Sequence, residues 1–142
     1  METSPEKALY NSIKLLETLL EKSSIHLEIS GSTLIVVLLI DNKLYCANVG
    51  DSRAILAHRQ ASFFSKWENI ALSIDHKPEL PKEAERITKA GGRIGAIQDY
   101  SGKPKGPKRV WRLKEDMPGL ALSRSMGDLI AKSLGVTWEP GT

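Results

Sequence analysis

The sequence predicts an α+β fold, and three observations predict it. An opening stretch carries apolar residues at helical spacing, a following block alternates β-branched runs with turn residues, and a second helical stretch is stopped by paired glycines. At 142 residues, 41% hydrophobic and 26% charged, the chain has the composition of one globular domain with enough material for a core. Its longest apolar run, Leu34 to Ile40, is the length of a strand and too short to cross a bilayer, so no membrane partner is expected. The start, Met1-Glu2-Thr3-Ser4-Pro5, lacks a basic-then-apolar leader, and Cys46 is the only cysteine; both fit an intracellular compartment, cytoplasmic or nuclear. The formal charge of +3 is too small to point to nucleic acid.

The first helix is read over residues 1–24. Ser4 stands where a cap is needed, Pro5 suits the first turn, and Glu6 places negative charge at the positive end of the dipole. Leu9, Ile13, Leu16 and Leu20 form its apolar stripe, with Lys7, Lys14, Glu17 and Glu21 mostly elsewhere on the cylinder. The run Leu34 to Ile40 then reads as a strand covered on both faces. Asp41-Asn42-Lys43 turns it into a second strand, Leu44 to Val49, and Gly50-Asp51 separates that from a third, Ser52 to Ala57. These three are expected to form a meander. A further strand is expected over Asn69 to Ile74, closing a central-strand block at residues 30–78. From Pro81 a helix runs to Gly91-Gly92. Gly95 to Lys108 reads as a loop by composition, followed by extended chain at Val110 to Leu113 and Leu120 to Ser123.

Few residues stand out chemically. Asp51, at a turn between apolar strands, could present a carboxylate to a hard cation, cap its own turn, or pair with Arg53; local spacing favours a structural role. Asp128 reads as the N-cap of a short helix beginning at Leu129. His76 lies in Asp75-His76-Lys77-Pro78 with no second histidine at metal spacing, which argues against zinc and for a hydrogen-bonded turn. Cys46, flanked by Tyr45 and Ala47, reads as a small buried strand residue. Lys103, Lys105, Lys108, Arg109, Arg112 and Lys114 concentrate positive charge in one Gly/Pro-rich stretch. There is no nucleophile elbow, P-loop or dinucleotide-binding glycine pattern.

Taken in order, these segments resemble one family. Ser30-Gly31-Ser32-Thr33 before an apolar strand, then Ala47-Asn48-Val49-Gly50-Asp51-Ser52-Arg53, is similar to the paired central strands of the protein phosphatase 2C (PP2C) family. Asp75-His76-Lys77-Pro78, with Glu85-Arg86-Ile87 and Ala90-Gly91-Gly92, resembles its next motif. Arg109-Val110-Trp111 and the run Gly119 to Asp128, ending Ser123-Arg124-Ser125-Met126-Gly127-Asp128, resemble the one after it. Four ordered motifs over residues 30–128 make a chance match improbable, although each alone is weak.

The resemblance implies part of an α-β-β-α sandwich of two antiparallel sheets flanked by helices, incomplete at both ends, with residues 79–128 supplying a helix, the flap region and the last motif. It implies a metal-dependent protein serine/threonine phosphatase using Mg²⁺ or Mn²⁺ and acting on phosphoprotein substrates. The family's upstream Asp-Gly-His-Gly and downstream Asp-Gly and Asp-Asn motifs do not occur here, so no core catalytic residue is carried over. Asp51 alone matches a metal-binding position, that of a third, weaker site; Asp128 matches a structural one. The basic stretch falls where the family has its flap, so Lys105, Lys108, Arg109 and Arg112 are candidates for attracting acidic or phosphorylated substrates. The chain alone is expected to be inactive. The competing expectation is a truncated or degenerate module that binds proteins, with a partner covering exposed sheet faces. A nucleic-acid role is disfavoured because no aromatic platform accompanies the lysines.

Overall fold

The computed structural model describes residues 4–59 and 66–142. Helices and antiparallel strand pairs make it an α+β structure, as the sequence predicts. Helix α1 spans Pro5–Glu21, and the Ser4 hydroxyl accepts from the Lys7 amide at 3.3 Å. Of the expected covering helix, residues 1–3 lie outside the described residues. Its buried face is Leu9, Ile13 and Glu17, while Leu16 stays largely exposed. The apolar-stripe reading thus missed a buried glutamate one turn beyond Ile13.

Strand β1 (Gly31–Ser32) leads into β2 (Leu34–Ile40), which pairs with β3 (Lys43–Val49) in a hairpin. Asp41 and Asn42 carry the turn with φ of 47° and 62°, the left-handed pair that matches strand twist in a two-residue loop. Leu34, Val36 and Leu38 pack with Leu9, Ile13, Ala47, Val49 and Met126 in one core. The opposite face is open: Val37 is 42% exposed and Leu39 69%. This corrects the expectation of a strand covered on both sides. A near-continuous apolar run marks a strand but does not report how many of its faces are covered. Cys46 shares that outer face and is half-buried rather than buried.

The expected three-stranded meander does not form. Strand β4 (Ile55–His58) pairs with β5 (Glu68–Ala71), not with β3. Gly50, at φ 99°, turns the chain out of the β2–β3 ladder, and its carbonyl accepts from His76 instead of a neighbouring strand.

Helix α2 (Pro81–Lys89) begins with proline and ends before Gly91, at φ 84°. The stretch expected as a loop is mostly strand: β6 (Gly92–Gln98) and β7 (Pro104–Arg112) form a hairpin, extended by β8 (Pro118–Leu120). The register slips between Gly95 and Ile97, so that residues 106–108 bulge between Lys105 and Arg109. A bulge accommodates Gly106 and Pro107, residues that otherwise argue against a strand. Ile87, Val110, Ala131, Leu134 and Val136 form a second core beneath this sheet, with Ile94 and Leu120 packed on it. Finally β9 (Met126–Gly127) returns to pair with β1, and the short α3 (Leu129–Lys132) follows.

Candidate functional site

The segments 48–53 and 73–77 lock together. Gly50 donates its amide to His76 Nδ1 at 3.2 Å and accepts from the His76 amide at 2.9 Å. A side chain at Gly50 would run into Thr33, so glycine is required by space as well as by φ. Buried Asn48 donates from Nδ2 to the Gly50 and Ile74 carbonyls, both at 3.0 Å. Arg53 Nε and Nη2 grip the two Asp75 oxygens at 2.9 and 2.8 Å, a bidentate pair that holds the Asp75 carboxyl below its usual range. Lys77 Nζ closes on Asp51 Oδ2, both side chains about one-third exposed. The Asp51–Arg53 pair left open by the sequence is therefore not made: the two charges of one motif each cross to the other. Burial, reinforced by Arg124, pulls His76 down to about 4. It is neutral, with Nδ1 as acceptor.

Behind this interlock lies a second charged group. Glu83, buried on α2, accepts from Arg86 Nη1 and Nη2 at 3.0 and 2.7 Å and from Arg124 Nε and Nη2 at 3.1 and 2.7 Å. Burial opposes its ionisation, but the hydrogen bonds from Arg86 and Arg124 hold it at about 2. The two arginines also satisfy the Gly135, Ser123 and Glu139 carbonyls. A cleft of about 710 Å³ opens alongside, lined by Asn48, His76, Leu80, Glu83, Arg124 and Gly141 among others.

Asp128 sits at the N-cap position of α3, but it does not cap the helix with its side chain. Instead Oδ2 accepts from Ser125 Oγ at 2.6 Å, its amide donates to the Ser30 carbonyl at 2.8 Å, and its φ is 50°. Gly31 leaves the space that this carboxylate fills. The interaction ties β1 to the last motif, a structural arrangement. Further along the same segment, Lys132 Nζ meets buried Glu17, whose Oε2 accepts from the Gly127 amide at 3.2 Å.

The four basic candidates all fall on β7 but not in one environment. Arg109 Nη1 donates to the Gly119 carbonyl at 2.7 Å, and Arg112 pairs with Glu115 at 2.8 Å. Lys105 and Lys108 are exposed. Sequence reasoning missed Lys77, Glu83, Arg124 and the Glu17–Lys132 pair, since no local spacing links residues that meet only through the fold. The motif order was the one available signal for Lys77 and Arg124; Glu83 lies outside every motif.

A Mg²⁺ or Mn²⁺ centre needs several oxygen donors converging on one point. Among the described residues, no group of three His, Cys, Asp or Glu side chains comes together. Asp51 and Asp75 each face a cation of the protein itself. This donor set does not fit a dinuclear metal site.

Comparison with known proteins bears on the same residues. The family description "Protein phosphatase 2C" matches residues 1–142. Probable protein phosphatase 2C 64 of Oryza sativa subsp. japonica is 46% identical over 111 residues, covering 78% of this chain and 25% of that protein. Probable protein phosphatase 2C 35 of Arabidopsis thaliana is 35% identical over 150 residues, covering 96% and 42%. Among solved structures, a C. elegans sex determining protein superposes with a TM-score of 0.72 at 25% identity, over 97% of this chain and 29% of that one. The serine-threonine phosphatase 2C of Toxoplasma gondii follows at 0.66 and 20%, over 96% and 43%, a likeness of fold. The chain spans 25% of the rice protein and 42% of the Arabidopsis protein. With its whole length matched and its motifs interlocked in order, the chain belongs to the protein phosphatase 2C family.

Proposed function

We propose that this chain is a segment of a metal-dependent protein serine/threonine phosphatase, and that the 142 residues by themselves do not turn over substrate. The parent domain would hydrolyse phosphoserine and phosphothreonine in phosphoproteins with water activated by Mg²⁺ or Mn²⁺. Residues 1–24 would serve as its covering helix, 30–78 as its central strands, and 79–128 as helix, flap and last motif. The observation that carries the reading is the interlock of Gly50, Asp51 and Arg53 with Asp75, His76 and Lys77, which joins two family motifs in one unit. Inactivity of the chain follows from its donor set: one carboxylate at Asp51, about one-third exposed and already paired, is too little for a divalent centre. Asp51 remains the candidate for a third, weak metal position once the rest of the domain is present. A phosphopeptide assay on the purified chain with excess Mn²⁺ is expected to release no phosphate. Metal-dependent turnover would overturn the reading.

Lys105 and Lys108, exposed on the hairpin, suit long-range attraction of acidic or phosphorylated segments, with Arg109 and Arg112 held closer to the sheet. In an intact catalytic domain, Lys105→Glu with Lys108→Glu should raise KM and leave kcat nearly unchanged.

One observation favours a second reading, a non-catalytic module that binds another protein: the open β2–β3 face bearing Val37, Leu39 and Leu44. On this reading Val37→Lys with Leu39→Lys should abolish capture of the partner while leaving the helical signal intact. The same pair of changes without effect on any association would remove it.

A further inference from the structure

We infer that the chain pairs with a second copy of itself along the open edge of β2, the two strands running antiparallel about a two-fold axis at Val37. Three observations support it. First, β2 is hydrogen-bonded on one side: among the described residues, β3 is its single neighbour in the sheet. Ile40 and Lys43 flank a two-residue turn, so that pair exchanges both backbone bonds and the pattern alternates from there. Leu34, Val36, Leu38 and Ile40 therefore bond to β3, and the backbone groups of Ile35, Val37 and Leu39 point to the open edge. Second, helix α1 packs more closely on β3 than on β2. This leaves an apolar groove of about 340 Å³ between Ala8, Ser12 and Leu16 of the helix and Leu34, Val36 and Leu38 of the strand. Third, α1 carries further apolar side chains in the open: Leu15 is 60% exposed and Leu19 56%.

The occupant is a second copy because the strand complements itself. Antiparallel pairing about Val37 sets Leu34 opposite Ile40, Ile35 opposite Leu39 and Val36 opposite Leu38. No charge meets another across the seven residues, and each row of side chains keeps its own face. A two-fold axis normal to the sheet places both α1 helices on the same inner face, with their Leu16 sides turned toward each other over the groove. The product is a four-stranded sheet, β3-β2-β2-β3, beneath two helices, an isologous contact that closes both open edges. Natural edges are otherwise guarded with charge or proline, and β2 has neither. Seven strand residues and one helix stripe are fewer than the roughly 20–30 residues a side of a standard interface, so the dimer should dissociate on dilution. The contact uses the edge and the inner groove, not the outer face considered above, and depends on neither functional reading.

The test is sedimentation velocity of the full chain over a dilution series, with backbone amide exchange followed at the two ends of the series. A monomer–dimer equilibrium is expected, with the Ile35, Val37 and Leu39 amides protected only where dimer prevails. Val37→Lys sets two ammonium groups face to face on the axis, and Leu16→Lys charges the groove. Each should weaken association on the order of tenfold. Leu44→Lys, on the outer face of β3, should leave it unchanged. A chain that sediments as monomer throughout, or only as larger aggregates, would overturn the inference. So would a dimer in which the three edge amides exchange freely, or one lost in Leu44→Lys and kept in Leu16→Lys, since that is stacking of outer faces. The protection pattern of the unaltered chain decides between these outcomes even where a variant fails to fold.

Discussion

Helices α1 and α2 each bury a glutamate on the face turned to the core, and the two differ in how that charge is met. Glu17 lies one turn beyond Ile13, and Glu83 one turn before Ile87. Both reach into the same segment, Arg124 to Lys132: Glu83 at Arg124, Glu17 at Gly127 and Lys132. Glu83 receives four directed bonds from two guanidiniums, while Glu17 has one ammonium, from Lys132, and one backbone amide. Arginine's planar fork matches a carboxylate bidentately and stays charged when buried; lysine offers a compact, strongly hydrated charge. Burial draws Lys132 down to about 8. The same device is thus built twice, with a strong and a weak counter-ion.

Substitution can break this contrast. Glu83→Ala should have the largest effect, about 3–5 kcal/mol in urea unfolding, because two half-buried guanidiniums lose the buried carboxylate that both of them bond. Glu17→Gln should cost less, about 2 kcal/mol, since its amide oxygen can still accept from Gly127. Pairing Glu17→Gln with Lys132→Met should recover much of that loss, whereas strict additivity of the two would dissolve the distinction.

Acid should separate the groups further. The Glu83 carboxyl is held at about 2 against an ordinary 4.5, so its contribution is complete above pH 4.5 and is lost as the pH falls toward 2. That shift corresponds to on the order of 3 kcal/mol. His76 is held at about 4 against 6.5, so the unfolded chain protonates first and stability declines from pH 6.5 toward 4. Thermal midpoints followed from pH 7 to 3 should fall in two overlapping stages. Glu83→Gln should flatten the lower stage and spare the upper. The smallest effect belongs to the β6–β7 hairpin: Lys105→Glu should change stability by less than about 0.5 kcal/mol, because the side chain is exposed.

Local signals were read correctly where the chain obeys local rules. The Ser4 cap, Pro81 at a helix start, the Asp41-Asn42 turn and the Gly91 stop all stand as predicted. The misreadings share a cause: tertiary partners. Glu17 looks solvent-bound until Lys132 is brought to it, 115 positions along. Pro104, Gly106 and Pro107 look like loop until a bulge absorbs two of them. The break in the meander comes from Gly50 bonding to His76, a partner no strand propensity reports. The motif order located the candidate site, but Lys77 as the partner of Asp51 emerged only from the fold.

The bond from the Gly127 amide to Glu17 spans 110 positions, and that from Ser125 Oγ to the Ser32 carbonyl spans 93. Asn48 exchanges both backbone bonds with Gly141 at 2.9 Å. Closing a loop of that size costs about 4 kcal/mol of chain entropy before any contact repays it. Folding should therefore be slow for this length, limited by topology rather than by helix formation. During synthesis, α1 and the β2–β3 hairpin would emerge long before residues 124–141 exist to clasp them. The apolar strand Leu34–Ile40 would spend that interval without its final neighbours, when a chaperone has most to offer.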